Sequence, residues 1–289
     1  MVNVLPIAVA RLAVCLVMSL NGTAWAWGQE GHSIVAEIAH RRLSPAGAAE
    51  IARLLGPNHS LASISSWADD VRDERPETYN WHFVDIPIES QKYDPATQCE
   101  ASPKGDCIVA ELARLQHDMR CAPTDALKRE ALRFAVHFVG DVHQPLHTVL
   151  EERGGNGIQV RVKLRGALTC RDGPCLPYSA NTNFHRVWDS ILINRTTWNW
   201  GAYVDQLEAG WLTGPEGQVT RQSLNFAAWA EDTHKAAQTI WKALPESRLV
   251  DDNYYQIARP ILDRQLGTAG VRLAALLNSA YGSKECPKQ

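Results

Sequence analysis

Residues 132–147 read LRFAVHFVGDVHQPLH, and the apolar side chains from Leu132 to Val139 recur at spacings of three and four, the period of a helix packed on a core. On such a helix His137 and Asp141 stand at i and i+4 and share one face, where an imidazole and a carboxylate can grip one ion. Pro145 breaks the helix and turns His147 towards a different point. The His-x-x-x-Asp spacing recurs at His185 and Asp189. One such pair is as readily a buried histidine held by a carboxylate. Two pairs, with His147 between them and His32 near a predicted N-terminus, point to a metal cluster. Imidazole and carboxylate donors without thiolate suit zinc, and manganese less well.

Outward from this stretch the helical period continues. It appears at Ile34, Ile38 and Leu43, at Ile108, Leu112 and Leu115, from Phe226 to Leu244 and from Tyr254 to Leu277, with Pro45, Pro123 and Pro145 at expected helix boundaries. The one convincing strand signal is IQVRV at residues 158–162, after a Gly-rich turn, with a return expected near Leu168. No linker or repeat divides the chain. The expectation is a mainly α fold: a single helical domain over residues 27–289 with a small β-hairpin.

Residues 1–26 carry one arginine, Arg11, an apolar run from Leu12 to Leu20, and small residues at Ala24 and Ala26. That is the pattern of a cleaved signal peptide, too short to remain as a membrane anchor. The mature chain would begin at Trp27 and be secreted or periplasmic. Six cysteines remain in that oxidising compartment, with fifteen possible connectivities. Short separations favour Cys99 with Cys107 and Cys170 with Cys175, leaving Cys121 for Cys286. Net charge is −3, and loss of Arg11 with the leader makes it −4, so the balance shows no basic nucleic-acid-binding face.

Several separated motifs carry a resemblance. They are Trp27-Gly28 with Gly31-His32, LASISSWAD (61–69), HFVD (82–85), LRFAVHFVGD (132–141), QPLH (144–147), GGN (154–156), FHRVWD (184–189) and GVRLA (270–274). In this order, over essentially the whole mature chain, the protein resembles the secreted, three-zinc, single-strand-specific nucleases of the S1/P1 type, whose scaffold is related to zinc-dependent phospholipase C. The resemblance implies three Zn2+ ions. Asp69, His82 and His137 would hold the first, and Asp141 would bridge it to a second, held by His32 and by the amine and carbonyl of Trp27. His147, His185 and Asp189 would hold the third. All nine positions carry the expected residue types.

The implied activity is hydrolysis of single-stranded DNA and RNA to 5′-phosphates, with 3′-nucleotidase action on 3′-mononucleotides; no protein partner and no stable membrane anchor are implied. A free α-amine, with pKa about 7.7–8, yields its proton to a metal where an amide cannot, so leader removal would complete the site. Two ions sharing a carboxylate lie about 3.5–4 Å apart and clamp a hydroxide, which Asp69 would orient towards phosphorus. The third ion would stabilise the leaving 3′-oxygen, and Arg72, three residues after Asp69 on one helix face, would neutralise developing charge. Phe83 matches a base-stacking position and Asn156 would bond the base edge; stacking worth about 1–3 kcal/mol per base requires an unstacked strand. Three divalent ions turn −4 into a formal +2 focused at one cleft.

Two alternatives remain open at this stage: a zinc-dependent phospholipase C on the same ligand set, and an exported zinc-sequestering protein without catalysis. His40, His59, His117 and His234 carry no expected role. His143 points off the ligand face and is expected to hydrogen-bond a ligand from outside. Trp67 and Trp81 would wall the metals from water, and the other tryptophans are expected mostly in the core.

Overall fold

The computed structural model describes residues 27–219, 223–282 and 286, so the expected leader, residues 1–26, lies outside the described residues. Seven longer helices dominate: α1 (Gln29–His40), α2 (Pro45–Leu55), α3 (Ile108–Cys121), α4 (Asp125–Asp141), α5 (Trp200–Ala209), α6 (Phe226–Ala243) and α7 (Asp252–Tyr281). The mainly α expectation holds.

Local chemistry sets their starts. Ser44, Thr124, Asn225 and Asp251 each accept a backbone N–H in the first turn of α2, α4, α6 and α7, and Pro45 occupies the first turn of α2. Helix α7 continues through Pro260 and packs on α1, α2, α3, α4 and α6. Its stretch from Gln265 to Ala274 is buried throughout, which makes it the axis of the core. Trp27, Trp188 and Trp229 are fully buried, whereas Trp198 is 71% exposed.

The sheet is larger than the expected hairpin. Strand β1 (Gln159–Leu164) lies between antiparallel β2 (Tyr178–Asn183) and parallel β3 (Leu249–Asp251). The return strand is therefore not near Leu168: Thr169–Cys170 pairs only with Gly173–Pro174, in a separate ribbon beside the Cys170–Cys175 disulfide. Val160, Val162 and Leu164 point into the core, and Gln159, Arg161 and Lys163 point out. The disulfides are Cys99–Cys107 and Cys170–Cys175, which short separations favour, and Cys121–Cys286, the pair these leave.

Candidate metal centre and substrate cleft

The last turn of α4 carries both His137 and Asp141 inward, with His137 Nε2 3.2 Å from Asp141 Oδ2. His137 Nδ1 donates to the Ser65 carbonyl at 2.7 Å. That bond places a ring proton on Nδ1 and points Nε2 at Asp141 and Asp69, whose Oδ1 is 3.5 Å away. His82, at the end of a 3-10 turn (Pro76–His82), brings Nδ1 to 2.9 Å from Asp141 Oδ2 and 3.6 Å from Asp69 Oδ1. From α1, His32 stacks on His137 with ring centroids 3.9 Å apart and sets Nε2 3.3 Å from Asp141 Oδ1.

Glycines permit this closeness. A Cβ on Gly140 would lie 2.6 Å from His32 Nδ1, and one on Gly31 would lie 2.9 Å from Trp27 Cβ. Trp27 is itself fully buried, its indole edge beside Gly140.

Buried polar atoms normally find hydrogen bonds. Here His32 Nε2, Asp69 Oδ1, His82 Nε2, His137 Nε2 and Asp141 Oδ1 are buried and make none. Two overlapping sets, His32–Asp69–His137 and His82–His137–Asp141, each bring three ligand atoms close enough to share one ion. Burial pushes the His32 imidazole down, and the His82 imidazole down to about 4. Burial also opposes charge on His137, yet Asp141 and Asp69 outweigh it and push this imidazole up to about 10. Against the same burial, the neighbouring imidazoles hold Asp141 well below, and Asp69 below, the usual carboxylate range. Two ionised carboxylates among three imidazoles, of which His137 yields a proton when a metal binds, form a donor set suited to divalent cations.

A third set lies alongside. Gln144 caps the 3-10 turn Pro145–Thr148 through Leu146 N–H, and His147 on that turn donates from Nδ1 to the His82 carbonyl at 2.8 Å. His185 Nδ1 donates to the Gly154 carbonyl at 2.6 Å. Gly154 has φ +62°, and a Cβ there would strike the Leu146 carbonyl. The two Nε2 atoms stand 3.2 Å apart, with Asp189 Oδ2 3.5 Å from His185 Nε2. Gln144 donates to Asp189 Oδ1 at 2.7 Å.

Burial pushes the Asp189 carboxyl well up, and burial with His147 nearby pushes the His185 imidazole down to about 3. Asp189 sits in a π turn, Val187–Ile191, and not in the plain α-helix its spacing predicts; such turns are frequent at functional sites. The Gly28 N–H donates to the Asp189 carbonyl at 2.8 Å, tying the residue after Trp27 to this third set.

His82, His147 and His185 open onto a cavity of about 440 Å³, which Arg72, Phe83 and Asn156 also line. The Arg72 guanidinium lies 4.2 Å from the centre of the Tyr79 ring, and Phe83 meets that ring edge-on at 6.0 Å. Asn156 donates to the Arg153 carbonyl at 2.9 Å, with its amide oxygen and second N–H left as recognition groups.

Two expectations change. The helix carrying Asp69 ends at Asp70, so Arg72 reaches the cavity from the following turn and not from a shared helix face. His143 touches no metal-set residue: its Nδ1 donates to the Val139 carbonyl, and its Nε2 accepts from Arg272. Trp67 and Trp81 both pack edge-on against Phe134, which stacks on Phe138 beside His82.

Asp85 was given no role by sequence reasoning, yet it lines the same cavity, its carboxyl pushed up to about 6 by burial and then by Glu151. The available signal was period two, since Phe83 and Asp85 share the face opposite buried Val84.

Residues 27–282 match the family model described as S1/P1 Nuclease. Among curated proteins, the chain is 29% identical to Endonuclease 2 of Arabidopsis thaliana, covering 89% of this chain and 91% of that one. It is 28% identical to Nuclease S1 of Aspergillus oryzae (96% and 98% covered) and 27% identical to Nuclease P1 of Penicillium citrinum (89% and 99%).

Proposed function

The chain belongs to the S1/P1 nuclease family, and from that footing we propose that it is a zinc-dependent endonuclease that hydrolyses single-stranded DNA and RNA to 5′-phosphates and removes phosphate from 3′-mononucleotides. The carrying observation is that His82, His147 and His185, members of the buried His/Asp sets, open onto the cavity that also presents Phe83 and Arg72. A sequestering protein has no need of that open face. In this reading residues 27–289 are the exported mature domain, cleaved ahead of Trp27. Asp69, His82, His137, Asp141, His32 and the amine of Trp27 hold two Zn2+ ions, and His147, His185 and Asp189 hold the third.

The bound ions would supply an acidified water and Lewis-acid stabilisation of phosphate oxygens. The protein's own groups do the rest. Phe83 stacks on an unpaired base, which a duplex does not offer, and Asn156 bonds its edge. These contacts register the adjacent phosphate against Arg72, whose guanidinium donates to non-bridging oxygens as negative charge builds. Asp69 orients the attacking oxygen towards phosphorus. The Ser65, His82 and Gly154 carbonyls hold His137, His147 and His185 in the tautomer that presents Nε2 to the ions.

The test is incubation of protein shown by mass to begin at Trp27 with single-stranded DNA and RNA, with and without a zinc chelator, followed by end-group identification. Chelator-sensitive cleavage leaving 5′-phosphates is expected. No cleavage by protein shown to hold zinc, or faster turnover of phosphatidylcholine, would overturn the reading.

A further inference from the structure

The net charge of −3 conceals a local concentration of positive charge beside the cavity. On the outer face of β1, Gln159, Arg161 and Lys163 alternate with buried Val160 and Val162, and exposed Arg165 follows the strand. Exposed Arg248 adjoins them, its carbonyl accepting the Arg161 N–H. Among the described residues Arg161, Lys163, Arg165 and Arg248 form no ion pair, whereas Arg41, Arg42, Arg53, Arg75 and Arg114 on the helical side all do.

Two carboxylates border this face, and both accept backbone N–H groups without pairing with its cations. Asp251, beside Lys163, caps α7 through Asn253 and Tyr254 N–H groups, and Asp252 accepts the Arg165 and Gly166 N–H groups.

The face is continuous with the candidate site. Gln159 pairs with Asn183, which lines the cavity, and Arg161 and Lys163 pair with polar Asn181 and Ser179. From Gln159 to Arg165 the strand covers about 20 Å at 3.3 Å per residue. Its far end reaches Arg195, which donates to the Arg165 and Leu176 carbonyls and lies 5.9 Å from the centre of the 71%-exposed Trp198 ring. A row of cations that form no ion pair, with an exposed aromatic at its end, is the composition of a single-strand channel, charge following the backbone and a ring stacking a base.

We propose that the outer face of the β1–β2–β3 sheet, from Asn183 through Arg161 and Lys163 to Trp198, is a binding track for the flanking part of a single-stranded nucleic acid whose scissile phosphate lies in the cavity. The proposal rests on the nuclease reading and extends it: a mononucleotide or dinucleotide fills the cavity alone, and a longer strand gains affinity along the sheet.

The test compares wild type with Arg161→Ser/Lys163→Ser on a dinucleotide and on a single strand long enough to span the sheet, across a salt series. The dinucleotide kcat/KM should be unchanged, and the KM for the long strand should rise about tenfold. The slope of log KM against log salt should flatten by about 1.4, the contribution of two phosphate contacts at 0.7 each. Trp198→Ala should raise the long-strand KM without altering that slope.

Equal loss on both substrates would show general damage and overturn the track. So would an unchanged long-strand KM and slope, including the case in which the variant loses binding to phosphatidylserine vesicles instead. Failure of the wild type to cut either substrate would overturn the nuclease reading, and the track with it.

Discussion

Gly140 touches neither substrate nor any proposed ion, yet Gly140→Ala should damage the metal centre. The added Cβ would stand 2.6 Å from His32 Nδ1 and 3.0 Å from Cε1, whereas carbon atoms rest about 3.5–4.0 Å from such neighbours, so the imidazole must retreat by roughly an ångström. It has little room: His32 is fully buried and stacked on His137 at 3.9 Å. Overpacking of this kind costs about 1–3 kcal/mol, and replacing a helical glycine by alanine returns about 1 kcal/mol. The net loss is therefore at most about 2 kcal/mol, which at about 2–4 °C per kcal/mol lowers Tm by up to roughly 8 °C. Activity should suffer more, because an ångström of displacement in a catalytic constellation can cost about 100-fold. Thermal unfolding, metal content by mass spectrometry and turnover of a single-stranded oligonucleotide measure the three effects. A variant with full metal content, wild-type turnover and undiminished Tm would refute the argument.

Extending the mature chain by one residue ahead of Trp27 should weaken metal retention at the His32–Asp141 end while the circular dichroism spectrum is preserved; unchanged activity in a verified extended protein would remove the amine as a ligand. Cys121→Ser opens a disulfide that spans 165 residues of sequence, and chain-entropy reasoning gives a loss of about 5 kcal/mol, so Tm under non-reducing conditions should fall by roughly 10 °C or more. For Asp85 the folded carboxyl titrates near 6 against an ordinary 3.8, so its protonated form suits the fold: the favourable contribution is complete below about pH 4 and is lost as pH rises through 6. Asp85→Asn should therefore stabilise the protein by about 1–2 kcal/mol at pH 8, after allowance for solvent screening, and little at pH 4; stabilisation of equal size at both pH values would contradict the cause.

The helices were legible because their apolar residues repeat with the helical period along faces that one core covers. Helix α4 shows this best, since the same period that buries Leu132 and Val136 also aligns His137 with Asp141. The sheet was less legible. Strand β2 reads YSANTN and has no buried residue, so it lacks the alternation that marks a strand, and β3 is three residues long and joins β1 from more than eighty residues away. The π turn at Val187–Ile191 hides for a related reason: one extra residue in a turn leaves the His185–Asp189 spacing looking like ordinary helix. His143 was misplaced because its true partner, Arg272, is contributed by α7 from 129 residues away. Asp85 was visible as a residue but not as a wall of the cavity, since that depends on how the loop after His82 is tied to the distant Leu150, whose N–H donates to the Ile86 carbonyl.

The central claim, that the His/Asp sets hold three zinc ions, is tested most directly by anomalous scattering at the zinc edge from crystals of the mature protein. Three peaks are predicted, two flanking Asp141 and one among His147, His185 and Asp189. A single peak, or an empty His147–His185–Asp189 set in protein that still cleaves single strands, would contradict the account.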